Sequence, residues 1–226
     1  MALWQYLWAG SGTTVGLYRL ETSSADSSWN ANNGSDTNIT YGAWKIWAWS
    51  AGSTITGSSQ ISIPDQAYNR IKTVTISLWV KLNGINPNIW RGTLVIRKDT
   101  PTTRYLYGLY VDPNTWNIKW QLYSSGYTNT ATYTLSSWVW VNAVLVITWG
   151  SWTIQLFINW KATWSAVALP AFNAPTDPIT VSKWSIAWSN EFLNWSVDEI
   201  IIENVVWTQT KIQKQYTYAK WRFWII

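Results

Sequence analysis

From residue 14 onward the chain alternates apolar and polar positions in short runs. Gly, Ser, Asn, Asp or an oddly placed Trp closes each run. A period of two over 4–8 residues is the signature of a half-buried strand. Strands are expected at 14–21, 37–42, 53–56, 60–63, 71–82, 92–98, 104–112, 117–124, 128–135, 139–148, 152–159, 179–182, 185–187 and 196–205. Val74, Ile76, Leu78 and Val80 fall on one face of their run. Val139, Val141, Ala143, Leu145 and Ile147 oppose Trp140, Asn142, Val144 and Val146, so that strand is expected to be covered on both sides. Pro170, Pro175 and Pro178 mark a loop, and residues 208–220 lack alternation and fit one short helix. Many antiparallel strands with turns every 8–12 residues predict an all-β, two-sheet jelly-roll sandwich with a short C-terminal helix. Residues 1–13 read as a lead-in and 14–226 as one domain, with no signal peptide in view.

Composition narrows the chemistry. The 226 residues contain no Cys and no His. Disulfides, Cys/His zinc sites, Cys nucleophiles and His-dependent triads are therefore excluded. No apolar run approaches the roughly 18 residues of a membrane-spanning helix. The formal net charge is +5, but the basic residues are scattered, whereas nucleic-acid binders cluster charge on one face.

Tryptophan is the anomaly, with 22 Trp against 12 Gly. Trp29 sits among turn formers, and Trp44, Trp47 and Trp49 crowd one short stretch. Trp160 and Trp195 follow Asn159 and Asn194, where an Asn-Gly hairpin turn is expected. Such turns need positive φ, which glycine tolerates and a bulky residue does not. Some uncultivated bacterial lineages and their phages read UGA as Gly where other translation tables read Trp. Most of these tryptophans are therefore expected to be glycines in the source, with Trp79 and Trp140 authentic because each lies in an apolar strand.

With glycine at those positions, an ordered set of motifs emerges. It comprises residues 15–21 (VGLYRLE), 25–34 (ADSSWNANNG), 45–47 (KIW), 76–80 (ISLWV), 139–144 (VWVNAV), 156–161 (LFINWK) and 192–200 (FLNWSVDEI). Together they resemble the LamG-like jelly-roll domains of the concanavalin A-like lectin/glucanase superfamily, over residues 14–220. The resemblance implies a glycan held on a concave sheet or on edge loops. It also implies a structural Ca²⁺ at an Asp of the last strand, here Asp198, with Asp26 and Asn30 as further candidate ligands.

Glucanase relatives place acids two apart on one strand. Here Glu199 and Glu203 share an extended face about 13 Å apart, with Asp198 pointing away. Glycosidases use roughly 5–9.5 Å, so no enzyme is expected. Tyr105 and Tyr107 share a strand face, with Tyr123 nearby, and are the candidate sugar-binding aromatics. The expected function is a non-catalytic binding or adhesion module for a glycan or surface polymer. The alternative is a phage or cell-surface structural protein whose jelly roll binds other structural subunits. The expected location is extracellular, cell surface or virion, with neither nucleic acid nor membrane insertion.

Overall fold

A computed structural model describes residues 13–43, 49–53, 60–66, 73–84, 93–99, 105–112, 115–123, 127–130, 132–148, 153–163, 165–168, 176–181 and 194–223. The alternating runs form β1 (Thr14–Tyr18), β2 (Ser35–Thr37), β3 (Ile39–Ala43), β4 (Trp49–Ser53), β5 (Gln60–Ile63) and β6 (Val74–Gly84). Then come β7 (Thr93–Asp99), β8 (Tyr105–Val111), β9 (Asn117–Tyr123), β10 (Tyr127–Asn129), β11 (Tyr133–Thr134) and β12 (Trp140–Thr148). Last are β13 (Thr153–Ile158), β14 (Lys161–Ala162), β15 (Val167–Ala168), β16 (Ile179–Val181) and β17 (Asn194–Glu203). Helix α1 (Gln209–Ala219) follows and runs into a 3-10 turn, Lys220–Phe223.

The strands pair antiparallel in two sheets. Among the described residues, the larger runs β14-β13-β12-β6-β17-β4-β3, with β1 also on β17 and β15 on β13. The smaller runs β10-β9-β8-β7-β16-β5-β2, with β11 on β9. Apolar residues of both sheets interdigitate in one core, which includes Val74, Ile76, Leu78 and Val80 as their spacing predicts. This is the expected two-sheet β-sandwich with one short C-terminal helix.

β12 is covered on both faces, as its pattern predicts. Val141, Ala143, Leu145 and Ile147 enter the inter-sheet core. On the outer side, Val144 and Val146 join Leu17, Phe157, Ile201, Trp207 and Ile212 of α1. Trp79 and Trp140 form a further outer cluster with Tyr216 and Ala219 of α1. Val139 departs from the pattern and is exposed, because β12 begins one residue after it.

Three expectations need correction. The run 37–42 is not one strand, because left-handed Asn38 (φ 49°) divides it. The halves then join different sheets, β2 on β5 and β3 on β4. The run 128–135 likewise divides into β10 and β11, both still paired with β9. Asn194-Trp195 is not a hairpin turn. It opens β17, with a register shift at that step. Of the strand expected at 53–56, only Ser53 is described, as the end of β4. The expected strand 185–187, Pro170, Pro175, Trp44 and Trp47 lie outside the described residues.

Candidate functional site

The loop carrying Asp26 is closed by its own hydrogen bonds. The Asp26 Oδ1 accepts from the Leu17 N–H at 2.9 Å and the Ser28 N–H at 2.8 Å. Its Oδ2 accepts from the Ser28 hydroxyl at 2.7 Å and the Asn32 N–H at 3.0 Å. Four donors fill the roughly four lone-pair sites of a carboxylate. The Asn30 side-chain amide donates to the Thr14 and Val15 carbonyls at 2.9 and 3.1 Å. Those backbone oxygens are the kind a hard cation needs. Asp198 is fully buried on β17, and its Oδ1 accepts from the Glu199 N–H at 2.8 Å. Asp26 and Asn30, two of the expected calcium ligands, thus sit together in one hydrogen-bonded loop. Their polar groups hold the loop against β1. Among the described residues no group of three or more His, Cys, Asp or Glu could hold a metal ion.

The acids of β17 are also placed differently from strict alternation. Asp198 pairs with Trp79 and Ile201 with Ser77, so three steps on β17 match two on β6. The extra residue makes a bulge, with Glu199 at a φ of 48°. The bulge brings Asp198 onto the outer face with Ile201 and Glu203, where alternation alone separates them. Glu203 is engaged there. Its carboxylate accepts from the Trp207 indole N–H at 2.6 Å and from Lys211. It fastens the start of α1 to the sheet.

The tyrosine expectation changes as well. Tyr107 is buried in the inter-sheet core with Leu109 and Val111. Burial, with the negative Asp65 adding to it, raises its hydroxyl well above the ordinary tyrosine range. A ring so enclosed offers no face to a ligand, which corrects Tyr107 as a sugar-binding residue. Tyr105 and Tyr123 lie in β8 and β9, and their side chains fall outside the described residues. The outward-facing aromatic of β8 is Tyr110, half-buried, with the Lys119 ammonium 5.0 Å from its ring centre. The sequence held the signal: Tyr107, Leu109 and Val111 form the more apolar row, while Tyr110 shares its row with Gly108.

Beside Tyr110, the smaller sheet carries a polar row at right angles to its strands. Gln121 pairs with Gly108, Gly108 with Arg97, Arg97 with Thr180, Thr180 with Ser62, and Ser62 with Ser35. Residues directly opposite in an antiparallel pair share a face. The alternate residues Leu109, Trp120, Val181 and Ile61 are in the core, so this row faces outward. Arg97 donates through Nε to the Thr180 hydroxyl at 3.0 Å, and both are buried. Gly108 contributes no side chain, which leaves a step in the row between Gln121 and Arg97. Arg97, Thr180 and Gln121 are buried within the row, so its open parts are Tyr110 with the Lys119 ammonium at one end and Ser62 and Ser35 at the other.

No family model matches the chain, and no curated protein matches it. Solved structures do resemble it. One is domain 4 of a GH43 extracellular arabinanase from Geobacillus stearothermophilus, in complex with arabinotriose. It is 18% identical, covers 89% of this chain and 97% of its own, and has a TM-score of 0.70. The binding domain of Paraclostridial mosquitocidal protein 1 is 12% identical over 92% of this chain and 52% of that one, with a TM-score of 0.74. Trypanosoma rangeli sialidase is 9% identical over 96% of this chain and 34% of that one, with a TM-score of 0.72. At these identities the likeness establishes the β-sandwich fold. Among the described residues no helix is long and apolar enough to cross a membrane.

Proposed function

We propose that the chain is a non-catalytic, LamG-like carbohydrate-binding module that works outside the cell or on a surface. The sugar sits on the outer face of the smaller sheet against Tyr110. The observation that carries this reading is the half-buried Tyr110, facing away from the core on the smaller sheet with the Lys119 ammonium against its ring. A tyrosine ring packs on the C–H face of a pyranose, while an ammonium group bonds its hydroxyls. The arabinotriose seen with the arabinanase domain adds support, as does the resemblance to botulinum neurotoxin type C, 11% identical over 92% of this chain and 51% of that one with a TM-score of 0.68, whose cell entry depends on two ganglioside molecules. Catalysis is left out because, of the two acids on the outer face of β17, Asp198 is fully buried and Glu203 is bound to Trp207 and Lys211. The same reading takes many of the tryptophans as UGA-encoded glycine positions.

A glycan array followed by calorimetry tests the proposal. Saturable binding of at least one glycan is expected, weakened at least tenfold by Tyr110→Ala with the melting temperature preserved. Binding that ignores Tyr110→Ala moves the site elsewhere. No binding across the array, with concentration-dependent oligomers, favours a structural subunit.

A further inference from the structure

Three tryptophans lie where the backbone is left-handed: Trp116 (φ 59°), Trp138 (φ 65°) and Trp160 (φ 68°). For an L-residue this brings Cβ too close to the following carbonyl oxygen, and only Gly, Asn and Asp visit the region routinely. Among the described residues eight non-glycine positions are left-handed, three of them Trp. Trp makes up 22 of 226 residues, so chance would place about one there.

Each site is a turn whose geometry asks for glycine. Phe157 pairs with Ala162 and Ile158 with Lys161, which leaves Asn159-Trp160 as a two-residue hairpin. Both central residues have positive φ, 48° and 68°, the type I′ pattern that Asn-Gly fills. Trp116 closes the β8–β9 hairpin. Its N–H donates to the Asp112 carbonyl at 2.9 Å, and the Asp112 N–H donates to the Asn117 carbonyl at 2.9 Å. The preceding Asp112-Pro113-Asn114-Thr115 is turn chemistry, and a left-handed residue after it completes the reversal. Trp138 precedes β12, donates its N–H to the Leu82 carbonyl at 2.7 Å, and is 59% exposed.

A second set contrasts with these. Trp79, Trp120, Trp140 and Trp207 are at most 8% exposed. Trp120 fills the inter-sheet core, Trp79 stacks on Tyr216 at 5.6 Å, and Trp207 donates to Glu203. Glycine at any of them would leave a cavity the size of an indole.

The geometry points to glycine as the native residue at 116, 138 and 160, and to tryptophan as native at 79, 120, 140 and 207. This deepens the recoding reading above and is independent of sugar binding. Trp29 is exposed in a turn, but the left-handed residue there is Ala31 (φ 49°), so it falls in neither set.

Two measurements test the assignment. The coding DNA is expected to carry UGA at 116, 138 and 160 and UGG at 79, 120, 140 and 207. UGG at any of the first three overturns that position, and UGA at any of the other four overturns the sorting. In the protein as sequenced, Trp138→Gly is expected to raise the melting temperature by about 2–4 °C. Trp116 and Trp160 rest partly on the core, so their glycine variants gain less. Trp120→Gly is expected to lower it steeply. A fall in melting temperature on Trp138→Gly refutes the backbone argument, whatever the glycan array shows.

Discussion

Asp26 accepts four hydrogen bonds from three residues on two segments, and it does so at 9% exposure. Removing the carboxylate strands the Leu17 and Asn32 amides against β1. Hydrogen bonds to a charged group are worth about 1.5–3 kcal/mol each and are not additive. Asp26→Ala is therefore expected to cost about 3–5 kcal/mol in urea denaturation. Since protein donors fill the carboxylate, the melting temperature is expected to be the same in Ca²⁺ and in EDTA. A rise in Ca²⁺ would show that a cation displaces those donors. Tyr107 makes a second prediction at this scale. Its folded pKa lies above the roughly 10 of an unfolded tyrosine. Its contribution to stability is full below that pH. Past it, the unfolded chain gives up its proton while the folded chain keeps it, so stability falls as pH rises. Tyr41 adds in the same direction, through burial and its hydrogen bond to Asp36. An alkaline titration followed by phenolate absorbance should show part of the tyrosine titrating only as the fold is lost. Tyr107→Phe should remove part of that step.

The elements that carry a regular period were legible before any coordinates. The expected span 60–63 matches Gln60–Ile63, 139–148 matches Trp140–Thr148, and 208–220 matches the helix Gln209–Ala219. What period cannot report is a single left-handed residue. Asn38 splits one apolar run between two sheets, and Glu199 shifts one strand by a residue so that Asp198 changes face. Asn38 carries only the weak mark of a residue type that tolerates this region, and Glu199 carries none. The candidate site was half legible for the same reason. Alternation grouped Tyr107 with its row, and only the neighbouring Leu109 and Val111 tell that the row points inward. The closing element shows which contacts matter. Thr208 caps α1 by accepting from the Lys211 N–H at 3.2 Å, while Glu203 holds both Trp207 and Lys211. The Lys211 side chain is 39% exposed, so its ion pair is screened and worth about 0–1 kcal/mol. The Trp207 indole is buried, and losing its acceptor costs the full desolvation of an N–H. Glu203→Ala is thus expected to lose about 2–3 kcal/mol and Lys211→Met less than 1 kcal/mol, measured by chemical denaturation. Equal losses would mean that the ion pair, not the indole bond, fastens the helix.

At the scale of the whole molecule the first and last strands meet in one sheet. β1 pairs with β17 from Thr14 opposite Glu203 to Tyr18 opposite Ile200. The Asn204 N–H donates to the Thr13 carbonyl at 2.9 Å. β1 also plugs both layers, with Val15 and Tyr18 in the inter-sheet core and Leu17 in the cluster beneath α1. The larger sheet therefore closes only when the first strand docks on the last. Contacts so distant in sequence charge loop-closure entropy before they return any stability, which slows folding. The same closure makes β1 the strand whose removal tests the expected domain start at residue 14. Deleting residues 1–12 leaves β1 whole, and is expected to leave the melting temperature within about 2 °C, less than 1 kcal/mol for a chain of this length. Deleting residues 1–18 removes Val15, Leu17 and Tyr18 at about 1.5–3 kcal/mol each, and uncovers the backbone edge of β17. That sum approaches the whole stability of an ordinary domain, so the shorter chain is expected not to fold cooperatively. Circular dichroism melts of the two truncations decide the matter. A cooperative transition in the chain that starts at residue 19 would mean that β1 is an appendage. A large loss from removing residues 1–12 would mean that the folded unit starts before Thr14.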